Sequence, residues 1–353
     1  MKQYILLCVA AIMMYSCGSR MNNRLADDKQ STQFRIEHLN KMTPVKNQGN
    51  GTMCWAYAML AAIETTHIMM GDSVNLSAAW VARGLMKELY MRNVLTKGED
   101  KGTARATGKT LLNMIQRHGI VPYDTYPDLN GRGVSTSILL DKTRLLALKA
   151  VNARKGPDAY LPALEKMLDG FLGHKPEDVY MHRAKYTPQE FGHSVCHADE
   201  YIALASCSHH KFGEWFALET VDNWEHAQFY NIPINELVVC VESAVRSGKG
   251  VCWEGDISEP GFNYNIGTAT LDIPQGKDEQ QLRQTMIESY DTTDDHCMTI
   301  VGIARAKDGE KYFIMKNSWG TGNPYGGLMY VSEDYLKMKT VAVFLPRSTF
   351  VTS

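Results

Sequence analysis

The chain predicts an α+β fold, with a helical first third followed by a mainly antiparallel β part. Three observations lead there. Over residues 54–63 nearly every side chain is apolar, which suits a helix buried on all sides. Ser77 and Gly119 stand where a helix start and a helix stop belong. Beyond residue 200, short runs rich in β-branched and aromatic residues replace the helical pattern.

Taken in order, residues 1–17 read as an export signal: Lys2, an apolar run over 4–15, then Ser16-Cys17-Gly18. The run is too short to span a bilayer. A small residue before Cys17 fits lipoprotein processing, with the lipidated Cys17 anchoring the chain to a membrane. The expected location is the periplasm or outer membrane of a bacterium. Residues 18–35 form a polar tether. Residues 36–130 form a helical subdomain. Its first helix starts at Cys54 and ends near Gly71, its second runs from Ser77 towards Tyr90, and its third is Gly108–His118. Residues 131–200 are a helical insertion, with helices at 138–151 and 161–172. Residues 201–353 are a β subdomain with strands at 201–205, 216–221, 250–253, 298–304, 312–316 and 328–331, and one amphipathic helix at 235–247.

Composition narrows the function classes. The 353 residues are 44% hydrophobic, enough for a large core, and the net charge of −2 comes from interleaved acids and bases. No basic stripe marks a nucleic-acid partner. Outside the export segment the cysteines are Cys54, Cys196, Cys207, Cys240, Cys252 and Cys297. If Cys54 is a free thiol, the other five cannot all pair, and their spacing is not that of a disulfide-stapled fold.

Cys54 earns attention through its surroundings. Gln48-Gly49-Asn50-Gly51-Thr52-Met53 delivers it to the first turn of a buried helix, whose positive end and unsatisfied N–H groups favour a thiolate. The Cys54 backbone N–H and the Gln48 amide can converge beside its sulfur as an oxyanion hole. A lone cysteine of this kind is commonly just a core residue. Its partners change the reading. His296 precedes the strand at 298–304 and Asn317 follows the strand at 312–316, so a hairpin brings both to one end. His296 then takes the thiol proton, Asn317 orients the ring, and Trp319 covers the bond between them. Placing His296 directly opposite Asn317 centres the connection near Ala306 and Lys307. A tight turn at Asp308-Gly309 staggers the pair by four residues, so a longer loop or a bulge between Arg305 and Glu310 is expected.

The sequence resembles the papain superfamily, and within it the bleomycin hydrolase or aminopeptidase C branch. The matching stretches are Pro44-Val45-Lys46-Asn47-Gln48, Cys54-Trp55-Ala56-Tyr57-Ala58, Asn75-Leu76-Ser77, Gly119-Ile120-Val121-Pro122 and Asn317-Ser318-Trp319-Gly320. Those that point to the branch are Tyr186-Thr187-Pro188-Gln189-Glu190-Phe191, Asn231-Ile232-Pro233-Ile234, Trp253-Glu254-Gly255-Asp256 and Asp295-His296-Cys297-Met298. The likeness covers residues 36–345. It implies a helical and a β subdomain with the active-site cleft between them, and hydrolysis of peptide bonds through a thioester. It assigns Cys54, His296 and Asn317 as the triad, and Gln48 with the Cys54 amide as the oxyanion hole. No cofactor or metal is implied. Departures are Gly51-Thr52-Met53 before the nucleophile and Cys297 where alanine is usual. The C-terminal arm that anchors the substrate amine in the branch is short here, so endopeptidase action stands beside aminopeptidase action.

Two other readings compete with this one. His193, Cys196 and His197 with Cys207, His209 and His210 have residue types that bind zinc, though not at a finger spacing. A papain-fold binding protein without catalysis is the other; such proteins lose a site residue, and here all are retained.

Overall fold

In a computed structural model the structure describes residues 33–350 apart from 101, 130–132, 182, 198 and 275. The expected export signal with Cys17, and most of the expected tether, lie outside the described residues. The tether ends earlier than expected. Phe34 and Arg35 already belong to a strand, β1 (Phe34–Leu39), whose charged residues disguise it in the sequence.

Six helices follow, separated by one small hairpin: α1 (Cys54–Met69), α2 (Ala78–Leu95), α3 (Gly108–His118), α4 (Thr136–Asn152), α5 (Leu161–Leu172), then β2 (Val179–Met181), β3 (Ala184–Tyr186) and α6 (Pro188–Val195). α1 is buried continuously from Trp55 to Thr66, as an all-apolar helix must be. Ser77 caps α2, accepting from Trp80 N at 3.1 Å. Thr187 and Glu190 cap α6 reciprocally.

The remainder builds a large sheet: β4 (Tyr201–Ala205), β5 (Trp215–Ala217), β6 (Gln228–Asn231), β7 (Val251–Gly255), β8 (Phe262–Asn263), β9 (Thr268–Ala269), β10 (His296–Ala306), β11 (Lys311–Lys316), β12 (Leu328–Ser332) and β13 (Thr340–Pro346). Three helices interrupt it, α7 (Ile234–Arg246), α8 (Glu279–Glu288) and α9 (Glu333–Lys339), where the sequence predicts one. The strand order is β5-β6-β4-β13-β7-β10-β11-β12-β9-β8, with β4–β6 and β12–β9 parallel and the rest antiparallel. β10 organises the sheet. Its first half pairs with β7, its second half with β1, and its other edge with β11. One core packs α1–α6 against one sheet face, and a second packs α7 and α9 against the other. Among the described residues, no helix is long and apolar enough to cross a membrane.

The β10–β11 connection corrects the register expected from sequence. Ala306 N donates to Glu310 O at 2.9 Å, leaving the three-residue loop Lys307-Asp308-Gly309. That connection, with Gly309 at φ 93°, is the longer loop expected between Arg305 and Glu310, and a further bulge lies inside the strand, between Ile300 and Gly302. Beyond it Thr299 faces Lys316, so His296 and Asn317 are offset diagonally and not opposite. Diagonal neighbours still share a face.

Candidate active site

Three elements meet at the nucleophile. Cys54 opens α1 half-buried, with no side-chain cap at Met53 competing for the helix end. Gly51 admits the approach: a Cβ there would stand 2.4 Å from Val134 O. The segment before it is tied to the far side of the site, since Gln48 N donates to Ser318 O at 2.7 Å and Gly320 N to Lys46 O at 3.0 Å. Gln48 is buried, its Nε2 donating to Gly51 O at 2.8 Å and its Oε1 accepting from Ser318 Oγ at 2.5 Å. Its amide is thereby locked beside the start of α1.

His296 begins β10 and is buried. Its Nε2 lies 2.9 Å from Asn317 Oδ1. That oxygen also accepts from Ser318 N at 2.7 Å, so it is an acceptor and the imidazole hydrogen sits on Nε2. Nδ1 is left to face the thiol. The Trp319 ring lies over the imidazole, 4.7 Å between centroids, and is itself held edge-on by Tyr264 at 5.3 Å. The four residues singled out in the sequence therefore come together, with Trp319 as the cover.

Electrostatics favour a thiolate. A hydrogen bond from the Cys297 thiol, a second from His296, and the positive charges of His296 and Arg105 hold the Cys54 pKa well below the usual thiol range against the opposing effect of burial. Elsewhere burial pushes thiols up, to about 12 for Cys196 and upward for Cys207, Cys240 and Cys252.

A charged cluster that sequence reasoning missed surrounds this pair. Arg105 grips Asp222 through Nε at 2.9 and 3.0 Å and donates to Asp294 O. Asp294 accepts from Thr220 Oγ1 at 3.1 Å, and burial with the nearby Asp222 charge pushes its carboxyl up to about 7. Arg105, Asp222 and Asp294 border a cavity of about 590 Å³ whose apolar wall includes Leu218, Ile287 and Val341. Glu254, fully buried on β7, accepts from Gly108 N at 2.5 Å through Oε1 and leaves Oε2 unpartnered. Asp294 could be read beside His296, but nothing local in the sequence marks Arg105 or Asp222 as its partners.

The six residues of the zinc rival do not converge. His209 and His210 approach Glu219, at 3.4 and 2.6 Å, and these three form the group whose ligand atoms lie within 4.8 Å. His193, Cys196 and His197 are not in it. Ser208 N donates to Gln284 Oε1 at 2.7 Å, so Gln284 Nε2 donates to His209 Nδ1 at 2.9 Å. The His209 hydrogen is then on Nε2, directed at the Glu219 carboxylate, which suits an ion-paired loop better than a metal ligand.

A profile of the Peptidase C1-like family matches residues 171–352, just over half of the chain. The chain belongs to this family. For this Peptidase C1-like protein the matched span contains His296 and Asn317, while Cys54 and Gln48 precede it. Viral cathepsins of Choristoneura fumiferana defective polyhedrosis virus and Antheraea pernyi nuclear polyhedrosis virus are each 32% identical to it over 100 residues. Those alignments span 28% of this chain and 28% of the length of either cathepsin. The crystal structure of PepW from Lactobacillus rhamnosis HN001 superposes with a TM-score of 0.67 at 17% identity, over 99% of this chain and 91% of PepW. The Peptidase C1-like protein thus has the α+β fold of the papain superfamily, as the sequence predicts, and Cys54 lies within the part that this superposition covers.

Proposed function

We propose that this protein hydrolyses peptide bonds as a papain-like cysteine peptidase, through a thioester on Cys54. The observation that carries the reading is the Nε2-protonated His296, held by Asn317 at 2.9 Å and covered by Trp319 beside a thiol at a helix start. His296 Nδ1 takes the thiol proton, and the Cys54 sulfur attacks the substrate carbonyl. The resulting oxyanion is received by the Cys54 N–H, which has no acceptor inside its own helix, and by the second hydrogen of the Gln48 amide. Protonated His296 then donates to the leaving amine, and water, activated by the same ring, releases the acid. The cavity beside Asp294 offers room for a substrate side chain.

Within this class the reading extends to aminopeptidase C-like action, on the branch motifs, and to an exported protein anchored through Cys17. Labelling with an epoxide or iodoacetamide is expected to fall on Cys54, with Cys54→Ala inactive. Label on another cysteine together with a fully active Cys54→Ala would refute the mechanism. Matched peptides with free and blocked N-termini settle the specificity: preference for the free amine supports the aminopeptidase reading, and equal cleavage of blocked peptides replaces it with endopeptidase action. Fractionation of Cys17→Ala cells tests the anchor.

A further inference from the structure

A second thiol stands against the first and forms no covalent bond in peptide hydrolysis. Cys297 follows His296 on β10 and is buried. Two registers fix where it points. Thr299, two residues further along the same face of β10, donates from Oγ1 to Ala58 O at 2.7 Å. Ala58 lies one helical turn beyond Cys54 on α1. Two strand residues advance about 6.6 Å and four helix residues about 6 Å, so the step back from that hydrogen bond brings Cys297 to Cys54. The two side chains pack in one cluster and share a hydrogen bond between their sulfurs.

We propose that Cys297 is a resolving thiol, and that a hydroperoxide converts Cys54 and Cys297 into a reversible disulfide that closes the active site. The proposal rests on Cys54 being the reactive thiolate. Each step balances. The Cys54 thiolate attacks the hydroperoxide, whose O–O bond breaks; with one proton taken up, the products are Cys54 sulfenic acid and an alcohol or water. Cys297 Sγ then attacks Cys54 Sγ. The S–O bond breaks and the departing hydroxide leaves as water with the Cys297 proton. One dithiol, or two monothiols, is oxidised to a disulfide as both cysteines return to thiols. The order of events follows from structure. Cys54 is half-buried and held towards the thiolate, whereas Cys297 is enclosed and its thiol is pushed up by burial. The juxtaposition also sets the biological sense: without a neighbour to trap it, a sulfenic acid advances to the irreversible sulfinic acid.

The test is hydrogen peroxide on the intact protein, followed by alkylation and tryptic digestion without reduction. The expected product joins residues 47–83 to residues 284–305, segments that each carry a single cysteine. Dithiothreitol is expected to restore activity in the wild type. Cys297→Ala, compared with its own untreated activity, is expected to regain less than about a tenth, with Cys54 found as sulfinic or sulfonic acid. Wild-type Cys54 recovered as sulfinic acid, a bridge to any other cysteine, or equal recovery by Cys297→Ala would each overturn the proposal. The bridge is read by mass, so its absence is distinguishable from an absence of peptidase activity in untreated protein.

Discussion

Asn317 Oδ1 accepts both from His296 Nε2 and from Ser318 N, so a neutral amide fixes the tautomer of the only imidazole that faces Cys54 among the described residues. The acids around that pair give a pH signature. Burial lifts Asp294 from its ordinary 3.8 to about 7, so between those values the folded protein holds a proton that the unfolded chain has released. Stability from this group therefore falls as pH rises through that window, and the loss is complete above about 7. Asp294→Asn keeps the shape without the charge. Its melting temperature is expected to match the wild type near pH 4 and to exceed it by a growing margin up to pH 7 and a constant one beyond. Parallel curves for the two proteins across that range would contradict this assignment. Of the site itself, Gln48, Cys54, His296 and Asn317 were legible because each sits in a distinctive local string. Arg105 and Asp222 were not, since their meaning arises only when distant loops close on Asp294.

α1 is the element on which the site depends, and its base is held by a buried charge network. Glu64, fully enclosed, accepts from Lys46 Nζ and Leu76 N at 2.7 Å each and from Thr43, while Lys316, the residue before Asn317, donates to Thr43 Oγ1 at 2.7 Å. One carboxylate thus ties the loop leading to Gln48, the nucleophile helix and the end of β11. Glu64→Ala strands two cations near the core and is expected to cost about 3–5 kcal/mol in denaturant unfolding. The outward pair of Glu88 with Arg117, at 40% exposure for the arginine, is expected to contribute less than about 1 kcal/mol. Equal losses for Glu64→Ala and Glu88→Ala would remove α1's anchoring role. The elements missed from sequence share physical reasons. α8 buries only Arg283 and Gln284 and shows no apolar stripe, and α9 spans barely two turns. β1 alternates charge with apolar residues and exposes Ile36 and Leu39. α6 was findable, because its Thr187-Pro188-Gln189-Glu190 start is a capping box.

At the scale of the molecule, β10 is the seam. It carries His296, leans on α1 through Thr299 and takes β1 along its distal half. The pairing is close at Gly302, where a Cβ would stand 2.6 Å from His38 O. Gly302→Val is expected to push β1 off the sheet and lower the melting temperature, with β1 becoming susceptible to limited proteolysis. An unchanged melting temperature and an intact β1 would show that this contact yields freely. The helical-then-β division was readable because it follows chain order. The return of β1 to the far strand was not, because pairing partners so distant in sequence leave no local pattern.

That return has a consequence for the making of the protein. Strand β1 and the nucleophile helix are synthesised long before β10, and β1 has no strand partner until β10 is available. Closure across such separations is slow for a chain of given size. A nascent or truncated product that stops short of β10 therefore presents Cys54 without the His296 imidazole that faces it in the folded chain. The topology itself withholds the assembled site from a chain that lacks β10.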